Sequence, residues 1–82
     1  MDSTPIEVVM ITRVKGEDKK QIYSIKQVEW RHLLVFGRIN INLEMLAVES
    51  ARSVGILEVL LELDPRGQIL KESQLNQQLA AE

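Results

Sequence analysis

The stretch VLLELDPRGQIL, residues 59–70, decides the fold of this chain. It reads either as a strand, a turn and a second strand, or as the end of a leucine-rich helix. In an extended chain Leu57, Val59, Leu61 and Leu63 fall on one side, and Ile56, Glu58, Leu60 and Glu62 on the other, so a period of two is satisfied over 56–63. DPRG supplies Asp64, Pro65 and Gly67 at the first, second and fourth positions of a type I turn. QILK can then return as a partner strand. Leu and Glu are nonetheless good helix formers, and a single helix over 43–63 would hold Gly55 in its interior at about 1 kcal/mol relative to Ala. The alternation and the turn chemistry favour the hairpin.

Upstream of it, Asn42 is a good N-cap. Leu43, Leu46, Ala47, Ser50, Ala51 and Val54 follow at helical spacing, and Gly55 is suited to stopping a helix. The expectation is one main helix around 43–54. Before it, GRININ alternates: Ile39 and Ile41 lie on one side, Arg38, Asn40 and Asn42 on the other. This favours a strand from near His32 to 42 with a bulge at Gly37. A helix capped by the Ser24/Gln27 pair and closed by Gly37 is the competing reading. At the start, Ile6, Val8 and Met10 oppose Glu7, Val9, Ile11 and Arg13, a strand over 6–14. KGEDKK is a turn, and QIYSI is the returning strand. The tail KESQLNQQLAAE is polar and has no β-branched residue, so 73–82 is expected to be a frayed helix or a disordered tail. The fold class is therefore α+β: a single domain over 1–82, with about five mostly antiparallel strands (two hairpins plus one strand) and one main helix.

Composition narrows the chemistry. Without cysteine there are no disulfides, thiolate metal sites or cysteine nucleophiles. Such a domain suits a reducing compartment, and the cytoplasm is the expected location. MDSTPIEVVM places acidic and polar residues where a secretory signal needs a basic start and an apolar core. No run approaches the roughly 18 apolar residues of a membrane span. The net charge of −2 argues against a DNA-coating protein. The charge is uneven. Residues 1–40 hold seven cations against five carboxylates, and residues 41–82 hold three against seven. Such a split suits two faces with different partners.

Enzyme signatures are lacking. His32 is the only histidine, and WRHLL offers it no local nucleophile or carboxylate, so a structural role is expected. Glu58 and Glu62 share a face under either reading, yet paired carboxylates on an amphipathic element are ordinarily a solvated rim. The four glycines are isolated, so no phosphate loop exists. No cofactor, metal site or catalytic residue is expected.

Strands 6–14 and 56–63 carry apolar residues on both faces, while one helix covers only one. An uncovered apolar face marks an association site. Val9, Ile11, Ile56 and Leu60 are the expected self-association residues. The leading expectation is a small non-enzymatic interaction protein, a homo-oligomeric regulator or assembly subunit, partnered by itself and by another protein. The alternative is a nucleic-acid-binding regulator. Tyr23, Trp30 and Phe36 lie among Lys19, Lys20, Lys26, Arg31 and Arg38, and bases stack on aromatics while cations hold phosphates. A small enzyme or enzyme accessory ranks third.

Overall fold

The computed structural model describes residues 6–50 and 53–81. In chain order they form β1 (Ile6–Val14), β2 (Glu17–Ser24), a 3-10 turn (Ile25–Gln27), α1 (Trp30–Arg38), α2 (Leu43–Glu49), β3 (Ser53–Leu63) and β4 (Ile69–Ala81). The strands make one mixed sheet in the order β2-β1-β3-β4. β1 pairs antiparallel with β2 and parallel with β3, and β3 pairs antiparallel with β4. Two hairpins thus lie side by side, joined through the helical segment.

Both hairpin turns follow from their residues. Lys15 (φ 54°) and Gly16 (φ 82°) are both left-handed, the geometry that lets a two-residue loop follow strand twist. The DPRG turn forms as its composition indicates. The Gly67 N–H donates to the Asp64 carbonyl at 3.0 Å, and the Asp64 carboxylate accepts from the Arg66 and Gln68 N–H groups at 2.8 and 2.9 Å. Gly67 sits at φ 86°. Gly67→Val should therefore lose about 1–2 kcal/mol, because a β-branched residue resists left-handed backbone. Thermal unfolding checks this, and an unchanged midpoint would contradict the turn geometry.

Three sequence expectations are corrected. The segment expected as a strand from His32 to 42 holds α1. Its end is a C-terminal cap in which Asn40 takes the left-handed conformation (φ 62°). The Asn40 N–H donates to the Gly37 carbonyl at 3.2 Å, and the Ile41 N–H donates to Phe36 at 2.9 Å. The alternation of GRININ is thus a helix stop, with Ile41 folding back toward the core. The Ser24/Gln27 pair does form, with the Ser24 N–H donating to Gln27 Oε1 at 2.9 Å, but it caps only the 3-10 turn.

The helix expected over 43–54 ends at Glu49. Asn42 caps it as expected, accepting the Met45 N–H at 3.1 Å. Gly55 is not its stop but a β3 residue opposite Ile6 of β1 and Leu79 of β4. The expected frayed or disordered tail over 73–82 is β4 as far as Ala81, and residue 82 lies outside the described residues. Low strand propensity is overridden there by the backbone edge of β3, which β4 follows along its whole length. The described residues form four strands and two helices, not five strands and one helix, and the central pairing is parallel.

The main core lies between the sheet and the helices. Ile6, Val8 and Met10 of β1 and Leu57, Val59 and Leu61 of β3 meet Val35 and Phe36 of α1 and Leu46 of α2. Phe36, Ile6, Leu57, Val8 and Val59 are fully buried. Among the described residues no buried polar side-chain atom lacks a hydrogen-bond partner. The opposite face of the sheet carries a separate small cluster of Val9, Ile11 and Leu60.

Candidate interaction surface

The strand registers bring the four expected self-association residues together. Ile11 of β1 pairs with Leu60 of β3, Val9 with Glu58, and Glu7 with Ile56, so all lie on the face turned away from the helices. Their exposure differs. Val9, Ile11 and Leu60 retain 6%, 9% and 7% of their surface, whereas Ile56 retains 38%. Ile22 of β2, beside Val9, is also exposed. The apolar margin of this face is therefore Ile22 and Ile56, around a centre already screened by its neighbours.

One end of the face is charged. Arg13 of β1 pairs with Asp18 of β2 at 2.7 Å and with Glu62 of β3 at 3.4 Å, spanning three strands. The Arg13 guanidinium hydrogen-bonds Asp18 and holds its carboxyl below the usual carboxylate range. Glu58 accepts from Asn76 Nδ2 at 3.4 Å. Glu58 and Glu62 thus engage different neighbours instead of converging on a common point, as acid–base work would require.

The helix layer presents a second surface that the sequence reading missed. Val35 and Phe36 of α1 face the core, while Trp30, Leu33 and Leu34 lie on its outer side and are exposed, Trp30 at 74%. Met45 and Val48 of α2 are exposed as well. The signal was present, since residues 30, 33 and 34 have helical spacing. A strand from near His32 separates Leu33 from Leu34 and leaves out Trp30, which hides it.

The basic and aromatic residues considered for nucleic acid do not share one surface. Lys19 and Lys20 are adjacent in β2 and point to opposite faces. Tyr23 packs against the main core and donates its hydroxyl to Gln21 Oε1 at 2.6 Å. Phe36 is buried. Arg31 pairs with Glu29 at 2.9 Å, and Arg38 pairs with Glu72 of β4. Lys26 lies in the 3-10 turn and Trp30 opens α1.

His32 has a structural setting. The Glu29 N–H donates to His32 Nδ1 at 3.3 Å, and the ring lies 5.6 Å from that of Tyr23. Burial, with the nearby Arg31 cation, pushes the imidazole pKa below its ordinary value against the opposing pull of Glu29. A lowered folded-state pKa means that the unfolded chain binds the proton more readily. This stability is complete above about pH 6.5, the unfolded value, and is lost as pH falls through the lower folded value. His32→Gln should remove that slope from a plot of unfolding free energy against pH. Equal slopes in both proteins would refute the assignment.

A hollow lined by Thr12, Val14, Lys15, Glu17, Lys19 and Pro65 lies where the two hairpin turns meet. Among the described residues no cluster of His, Asp and Glu could hold a metal ion, and no helix is long and apolar enough to cross a membrane. Compared with known proteins, residues 2–68 match the family model described as the CEP76 C2 domain. No curated protein and no solved structure matches the chain.

Proposed function

The chain belongs to the CEP76 C2 domain family, and from that premise we propose that it is a non-enzymatic protein-interaction module, a homo-oligomeric regulator or assembly subunit. The observation that carries the reading is one-sided cover. Both helices pack on one face of the sheet, and the other face holds the Val9, Ile11 and Leu60 cluster with Ile56 at its margin. A sheet with apolar residues on both faces is stabilised by covering the second face, and another protein chain can supply that cover. Contact between copies through the sheet is the simplest source of it.

Sedimentation equilibrium tests this reading. A dimer or larger assembly is expected at micromolar concentration. Leu60→Asp or Val9→Asp should dissociate or unfold the assembly, because each places a charge in an apolar cluster. A well-folded monomer at the highest soluble concentration would end the self-association reading.

A further inference from the structure

We propose that two copies of this chain join edge to edge along β4, antiparallel, with the twofold axis passing at Gln78. The proposal rests on the reading above that copies of this chain associate, and places their contact at a sheet edge beside the open face, not over it.

Among the described residues the sheet has two outer strands, and they differ. β2 begins with Glu17, Asp18, Lys19 and Lys20, then runs through only four uncharged residues before the chain turns away at Ile25. A strand laid beside it would meet a row of charges, the usual protection of an exposed edge. β4 lacks that protection. From Ser73 to Ala81 it has no charged residue and no proline. Its one irregularity within this stretch lies opposite Glu58 and Val59, at Leu75. Beyond that bulge the register runs unbroken from Asn76 opposite Glu58 to Ala81 opposite Ser53.

An unpaired strand edge offers alternating N–H and C=O groups, and the chemistry that satisfies them is another extended strand. The sequence NQQLAA is compatible with itself. Laid antiparallel on a second copy, Asn76 opposes Ala80, Gln77 opposes Leu79, and Gln78 opposes its own copy. No charge meets a charge, and a twofold contact repeats each pairing. Apolar surface accompanies this edge. A hollow lined by Val54, Gly55, Ile56, Gln77, Gln78 and Leu79 lies beside the axis. Ile56 pairs with Gln78 and is exposed, and so is Leu79. Joining here would make the two open faces continuous, with each Ile56 next to the seam.

The chain has no cysteine, so single cysteines can carry spin labels. Gln78→Cys, Gln74→Cys and Lys20→Cys, each labelled with a nitroxide, are measured by double electron–electron resonance on the full chain at a concentration where it associates. Pairing about this axis makes the Gln78 labels the closest. Each residue further along β4 adds about 7 Å, since the two strands run in opposite directions. Lys20 lies three strands in from the seam, so its labels should stand more than about 30 Å apart at ordinary strand spacing. Gln77→Lys combined with Gln78→Lys should weaken the dimer about tenfold or more, because like charges then face each other across the axis. A dimer in which the Gln78 distance is not the shortest, or one that keeps its affinity with both lysines, overturns the edge contact and leaves self-association standing. A monomer overturns both.

Discussion

Gly55→Val should lower the unfolding free energy by about 3 kcal/mol, with Gly55→Ala losing about 1–3 kcal/mol. β4 crosses Gly55 so closely that a Cβ there would overlap the Gln78 carbonyl oxygen and lie 2.7 Å from Leu79 Cδ2 and 2.9 Å from Leu79 Cα. Two of these three neighbours are backbone atoms, which cannot move aside by changing rotamer. The gain from a stiffer unfolded chain, about 0.4–1 kcal/mol for Gly→Ala, is too small to offset the overlap. Urea unfolding is the measurement, read as a lower midpoint at unchanged slope. Wild-type stability in Gly55→Ala would mean that β4 does not run against β3 at this point.

Phe36→Ala should cost about 3–5 kcal/mol. Phe36 is the largest fully buried side chain and anchors α1 on β1 and β3. Its neighbour should behave in the opposite way. A Cβ on Gly37 would meet nothing within 4 Å, and the residue lies in the last turn of α1. Gly37→Ala should therefore gain up to about 1 kcal/mol through helix propensity. Opposite signs at adjacent positions are the signature of a helix here. In the strand reading Gly37 was a bulge, where an added side chain should cost stability. Two urea titrations distinguish the cases, and a destabilised Gly37→Ala would count against α1.

Much of the sheet was legible because its strands alternate. β1 runs over the expected residues, and the Asp64–Gly67 turn forms with the expected side-chain chemistry. The helices were harder to read. His32 to Asn42 alternates only over its last few residues, where Asn40 is a left-handed cap and not a strand position. One Asn at φ 62° reverses the meaning of that pattern, and Asn suits either role. Gly55 misled for a related reason. Glycine after a helical run suggests a stop, but here it admits the backbone of a strand more than 20 residues later in the chain. β4 was legible only at its start, in QILK, since NQQLAA takes its conformation from β3. The candidate surface was half visible. The period of two placed Val9, Ile11, Ile56 and Leu60 on one face, yet alternation says nothing of how far neighbours screen the first, second and fourth. A strand beginning near His32 places Leu33 and Leu34 on opposite faces and leaves Trp30 outside it, so their shared helix face does not show.

The parallel contact between β1 and β3 has a consequence for synthesis on the ribosome. Arg13 and Glu62, which meet across it, are 49 residues apart, whereas each hairpin closes within its own short stretch. The β1–β2 hairpin and both helices emerge before β3. Until residues 53–63 follow, β1 keeps an unpaired inner edge and Phe36 lacks the Leu57, Val59 and Leu61 side chains of its core. Contacts so distant in sequence form late, and exposed edges invite wrong pairing meanwhile. The interval before β3 clears the exit tunnel is therefore when the nascent chain is most open to misfolding.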